Sequence, residues 1–133
     1  MNAVFLDSVG LLAIWNTADQ WHEAAEKAFV KIADRRRPFL ATTFVMLECG
    51  NAAARRPFRQ KVCELRQNLE EGNSLITPTE ADWASAWEEY ARGKAGNAGI
   101  VDHVSFIVMR RLGITDAFTN DRHFKAAGFT TLF

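Results

Sequence analysis

The chain has 133 residues and is 48% hydrophobic, which suits one compact domain with a full core. Its 16 Lys and Arg balance 16 Asp and Glu, which excludes a protein that holds nucleic acid by net positive charge alone. No stretch is long or apolar enough to span a membrane, the N-terminus lacks a signal-peptide pattern, and Cys49 and Cys63 lie in helical patterns without CxxC spacing, so a cytoplasmic protein with two buried free thiols is expected.

Ala3 to Leu6 is a short apolar run without alternation, as in a central strand buried on both faces. Asp7 ends it, and Ser8 to Trp15 follows with helical apolar spacing. After a polar break at Asn16 to Gln20, the spacing predicts a helix from Trp21 to about Ala33, with Ala24, Ala25, Ala28, Phe29 and Ile32 on one face. The basic run Arg35 to Arg37 then solvates a helix C-terminus and complements its dipole.

Phe39 to Thr42 reads as the second strand, and Thr43 as the N-cap of a helix over Phe44 to Ala54 that carries Glu48 among apolar residues. Pro57 to Leu69 is a further amphipathic helix with a basic side. Gly72-Asn73 marks a turn, and Leu75 to Thr77 a brief strand near a sheet edge. Thr79 caps a helix whose stripe of Trp83, Trp87 and Tyr90 reads as core or dimer contact. The glycine-rich loop Arg92 to Gly99 lacks the GxxxxGK[ST] pattern of a P-loop and leads into a helix opened by Asp102. Asp116 to Thr119 is a strand, Asp121 opens the next helix, and Phe129 to Leu132 is the last strand. Asp116, at the far end of its strand from Asp121, reads as a surface acid. The order β-α-α-β-α-α-β-α-α-β-α-β implies a parallel sheet with helices on both faces, in one α/β domain over residues 1–133.

Asp7, Asp102 and Asp121 each fall where a strand or loop hands over to a helix. Any one of them is first a cap, because Asp accepts the unpaired N–H groups of a first turn. Together they mark the sheet edge where parallel α/β folds place ligands. Glu48, costly to bury unpaired, is the fourth acid. Four carboxylates at one edge repel one another unless a cation joins them. All-oxygen ligands, without Cys or spaced His pairs, point to Mg²⁺ or Mn²⁺ rather than Zn²⁺. A metal-held water could then serve as nucleophile, with a second ion roughly 3.5–4 Å away stabilising the leaving oxygen. Ser8, Thr43, Ser105, Thr119 and Asn120 lie close in sequence to the acids and could orient ligands. His22, His103 and His123 read as structural or supporting.

The apolar strand ending in Asp7-Ser8, the Thr43-x-x-x-x-Glu48 helix, Val101-Asp102-x-x-Ser105 and Phe118-Thr119-x-Asp121-x-x-Phe124 resemble, in order and over nearly the whole chain, a PIN domain. Asp19-Gln20-Trp21-His22-x-x-Ala25 and Asp121-Arg122-His123-Phe124-x-x-Ala127-Gly128-Phe129 resemble the VapC-type toxins of toxin–antitoxin pairs within that family. The resemblance implies a five-stranded parallel sheet and a Mg²⁺- or Mn²⁺-dependent endoribonuclease. It also implies a homodimer and a small antitoxin whose tail covers the acidic groove. It carries the metal-site and catalytic roles to Asp7, Glu48, Asp102 and Asp121, with Thr43, Ser105 and Thr119 as supports. Two departures stand out. His103 replaces a smaller residue, leaving less room near the site. The neutral chain needs local cations such as Arg55, Arg56, Arg92 and Lys94 to hold RNA. The alternative is a PIN-like module that binds RNA or a partner with little or no cleavage. A receiver or phosphatase fits poorly, because Asp7 is followed by Ser8-Val9 and not by a second acid.

Overall fold

The computed structural model describes residues 2–133. Val4–Leu6 forms strand β1, every residue of it buried. Helices α1 (Ser8–Trp15) and α2 (His22–Asp34) lead to β2 (Phe39–Thr42); α3 (Thr43–Ala53) and α4 (Arg59–Glu71) lead to β3 (Leu75–Ile76). Helices α5 (Glu80–Ala91) and α6 (Ile100–Leu112) precede β4 (Asp116–Phe118), and α7 (Arg122–Ala126) precedes β5 (Thr130–Thr131). All four strand pairs are parallel, in the order β3-β2-β1-β4-β5. The five-stranded α/β architecture and its element order are those the sequence predicts.

Strand order reverses between β1 and β4. Chain progress from β1 to β3 runs one way across the sheet, and β4 and β5 lie on the other side of β1. Right-handed crossovers then put α1 to α4 over one face and α5 to α7 over the other. The aromatic contacts agree. Phe5 of β1 meets Phe124 of α7, which packs edge-on against Phe106 of α6 at 4.9 Å, while Phe118 of β4 meets Phe29 of α2 at 5.9 Å. The crevice at the carboxyl ends of β1 and β4 is therefore the topological switch point, the expected ligand edge of such a sheet.

Local chemistry differs from the sequence reading in several places. Thr42, not Thr43, caps α3: its hydroxyl accepts the Val45 N–H at 3.1 Å, and Thr43 is the first helical residue. Gly99, whose backbone is extended, is the N-cap of α6, so Asp102 sits in the first turn and does not open the helix. The capping box of α5 is complete, with Thr79 and Asp82 bonding each other's backbone N–H. Cys49 is buried as expected, but Cys63 is exposed, because α4 turns it away from the Val62 and Leu69 stripe. Asp116 is not a free surface acid. Arg37 donates to it at 2.7 Å and to both the carbonyl and the side chain of Asn2, so one member of the basic run ties the entries of β1 and β4 together. The Trp83, Trp87 and Tyr90 stripe is not core: all three side chains are exposed, Trp87 by 56%.

Candidate active site

Asp7 leaves the end of β1 and caps α1, its carboxylate accepting the Val9 N–H at 3.4 Å. It is 1% exposed. Thr119, buried just past β4, donates its hydroxyl to the same Asp7 oxygen at 2.8 Å, stitching β1 to β4 at the switch point. The Thr119 oxygen in turn accepts the Asp121 N–H at 3.1 Å, and Asp121 caps α7 by accepting the His123 N–H at 2.9 Å. On the other side, Ser8 donates to Glu48 of α3 at 3.0 Å. Asp102 approaches from the first turn of α6.

The four acids act on one another electrostatically. Burial pushes the Asp7 carboxyl up to about 8, with the charges of Asp102, Asp121 and Glu48 adding to the rise and the Thr119 hydrogen bond opposing it. Burial, then Asp121 and Glu48, push Asp102 up to about 6, with His123 opposing. Burial also raises Glu48, against the Ser8 hydrogen bond. Among the described residues no Lys or Arg lies within 4.0 Å of any of the four carboxylates. Among the described residues these carboxylates thus have no Lys or Arg partner, and His123 beside Asp121 is the one basic side chain in contact with them.

One contributor, His123, reads from the sequence only as structural or supporting. His123 turns back over the α7 cap: Nδ1 lies 2.8 Å from Asp121 Oδ1, and Nε2 lies 2.6 Å from Asn97 Oδ1. Ligand atoms of Asp102, Asp121 and His123 all lie within 4.8 Å of one another. The Asp-x-His spacing at a helix cap was the available signal, since a capping carboxylate and the residue two positions on share one turn.

The supporting residues divide. Ser8 and Thr119 hydrogen-bond the acids. Thr43 and Asn120 are half-buried with no side-chain hydrogen bond to an acid, and Ser105, one turn along α6 from Asp102, is fully buried with no partner for its hydroxyl within the described residues. His103 takes no room from the acids. It packs edge-on between Tyr90 and Phe106, and burial holds its pKa below the usual histidine range. Of the candidate RNA-binding cations, Lys94 lines a groove beside the acids. Arg92 is the exposed C-cap of α5, and Arg55 and Arg56 are exposed beyond the end of α3.

No protein-family model matches the chain. Curated relatives do: the 23S rRNA-specific endonuclease VapC20 of two Mycobacterium tuberculosis strains, CDC 1551 / Oshkosh and H37Rv, is 28% identical over 137 aligned positions, covering 95% of both chains. The crystal structure of Mycobacterium tuberculosis VapC20 (Rv2549c), a Sarcin-Ricin loop cleaving toxin, superposes with a TM-score of 0.78 at 24% identity, over 96% of each chain. Over nearly its full length the chain is thus similar in sequence to the VapC20 endonuclease, and it shares the fold of the VapC20 toxin structure.

Proposed function

We propose that the chain is a metal-dependent endoribonuclease, the toxin of a toxin–antitoxin pair, that hydrolyses RNA phosphodiester bonds at the Asp7, Glu48, Asp102 and Asp121 cluster. The observation that carries this reading is the mutual electrostatic effect of four carboxylates that no Lys or Arg pairs among the described residues. Such a set fits a divalent ion, and its oxygen-rich donors favour Mg²⁺ or Mn²⁺. When bound, that ion supplies the positive charge that polarises the phosphodiester and lowers the pKa of water.

The chain's own residues do the rest. Asp7, Glu48, Asp102 and Asp121 would hold the ion. Thr119 holds the Asp7 carboxylate, Ser8 holds Glu48, and His123 orients Asp121. Thr43, Ser105 and Asn120 complete the surroundings of the acids. No side-chain nucleophile is needed, and the Ser8 and Thr119 hydroxyls are engaged as donors to Glu48 and Asp7. Likeness to a 23S rRNA endonuclease supports RNA as substrate and makes ribosomal RNA the first to try. Cleavage of RNA by the purified protein is expected with Mg²⁺ or Mn²⁺ and is expected to stop on chelation. Cleavage that persists in excess EDTA refutes the metal mechanism.

The same likeness to a toxin supports a cognate antitoxin that covers the acidic edge and a cytoplasmic site of action. No helix among the described residues is long and apolar enough to cross a membrane.

We also infer a homodimer. Trp83 and Trp87 of α5 border an apolar groove of about 260 Å³ completed by Phe44, Ile100, Val101 and Val104, and Leu47 of α3 is 65% exposed. Exposed aromatic clusters of this kind mark interfaces rather than solvated surface. The wild type is expected to sediment as a dimer at micromolar concentration and Trp87→Glu as a monomer. A wild-type monomer, or a Trp87→Glu dimer of unchanged strength, counts against this face.

A further inference from the structure

Beside the acids, the loop 92–99 and α7 enclose an open groove of about 480 Å³. Lys94 reaches it from the loop, and Arg122 and Lys125 from the helix. All three are exposed, and none has a carboxylate within 4.0 Å among the described residues, whereas Arg37, Arg66, Arg110 and Arg111 are each paired to an acid. Three unpaired cations on one groove are a local excess in a chain of zero net charge.

The groove is joined to the acids. His123 lines it and contacts Asp121 at 2.8 Å, and Asn97, on the loop side, contacts the other ring nitrogen at 2.6 Å. Gly96 adds no side chain there, so a backbone can approach closely. A polyanion meets four carboxylates at the cleavage edge, and the neutral chain offers no long-range attraction to offset that repulsion. Affinity and register must then come from cations placed next to the acids, because phosphate contacts position a nucleic acid.

We propose that the groove between the 92–99 loop and α7 holds the phosphodiester backbone of single-stranded RNA immediately beside the cleaved bond, with Lys94, Arg122 and Lys125 on its phosphates. This rests on the nuclease reading above and adds where the strand lies. Proteins that recognise RNA sequences engage mainly loops and unpaired stretches, so the segment bound is one of these. Arg122 and Lys125 join Lys94 as binding residues, and the His123–Asn97 contact aligns the groove with the acids.

The test is fluorescence anisotropy with a labelled single-stranded RNA oligonucleotide in the full-length Asp102→Asn background, where the strand stays intact, repeated across salt concentrations. Lys94→Ala/Arg122→Ala/Lys125→Ala is expected to weaken binding on the order of ten- to a hundredfold and to lower the salt slope by about 2, from roughly 0.7 per phosphate contact on a single strand. The control Lys27→Ala/Lys31→Ala/Arg35→Ala removes the same charge from α2 and is expected to change affinity by less than about threefold. Lys94→Arg/Lys125→Arg keeps the charges and is expected to keep the affinity, which separates charge loss from damage to the fold. Equal weakening by both triple variants, or an unchanged salt slope, overturns the proposal. So does a groove variant that loses affinity for an oligoglutamate peptide while its RNA binding is unchanged, an outcome that reassigns the groove to an acidic protein segment. A wild type that cleaves no RNA with Mg²⁺ or Mn²⁺, yet binds the oligonucleotide through these three residues, defeats the nuclease reading and leaves the groove standing.

Discussion

Asp7→Asn is expected to abolish RNA cleavage, a loss on the order of 10³-fold or more, while the metal-free variant melts higher than the metal-free wild type at pH 8. Both effects follow from one buried carboxyl. The amide matches the carboxylate in shape, and its oxygen can still accept from the Thr119 hydroxyl and the Val9 N–H, which meet a single Asp7 oxygen. The variant loses the charge that would help fix a cation, a contribution at a polarised phosphate comparable to or larger than that of an oxyanion donor. Stability moves the other way. In the folded chain the Asp7 carboxyl is pushed up to about 8 by burial, then by Asp102, with Asp121 and Glu48 adding. In the unfolded chain it titrates near 3.9. A carboxyl raised on folding favours the folded state fully below about pH 4 and loses that advantage as pH rises through about 8. The wild type without metal is therefore expected to lose stability across this window, by on the order of 5 kcal/mol at most. Asp102, pushed up to about 6, adds to the loss in the lower half of the window. Asp7→Asn removes the larger titration and flattens the profile. Thermal melts of both proteins in EDTA between pH 5 and pH 8 check this. A variant that melts lower than wild type at pH 8, or that keeps cleaving, contradicts it.

Gly10→Ala is the second large effect, and it is structural. A Cβ on Gly10 would lie 2.1 Å from the Phe118 carbonyl oxygen and 2.8 Å from its carbonyl carbon. Those are backbone atoms of β4, so no side chain can swing aside. Helix α1 lies against the sheet at this point, and only glycine permits the approach. Alanine forces α1 off β4 at a cost of about 3 kcal/mol or more, against a helix-propensity gain of about 1 kcal/mol. The displacement also reaches the site, because Asp7 stands at the start of α1 and its partner Thr119 directly follows Phe118. Urea denaturation of Gly10→Ala is expected to show this loss together with weakened metal binding. An unfolding free energy within about 1 kcal/mol of wild type contradicts this expectation.

Those two residues also mark what a sequence yields and what it withholds. Asp7, Asp102 and Asp121 are legible because each sits where a local pattern changes from apolar strand or loop to helix, and local patterns follow from short-range sterics. The element order and the buried first strand are legible for the same reason. Gly10 reads only as a weak point in a helix, because the atoms that require it belong to Phe118, 108 positions on. The Arg37–Asp116 pair spans 79 positions and the Arg111–Asp82 pair 29, so neither leaves a periodic trace. His103 shows a related limit. Adjacent to Asp102 in sequence, it points about 100° around the helix from it and belongs to an aromatic cluster with Tyr90 and Phe106. His123 is the reverse case, since its turn back onto Asp121 depends on cap geometry that a helical-face argument overlooks.

Metal-dependent hydrolysis is decided by incubating a ribosomal RNA fragment with the purified wild type, in Mg²⁺ or Mn²⁺ and again in excess EDTA, with Asp7→Asn in parallel. Defined cleavage products are expected with metal, none after chelation, and none from Asp7→Asn under either condition. Products that appear in EDTA, or from Asp7→Asn at the wild-type rate, contradict it.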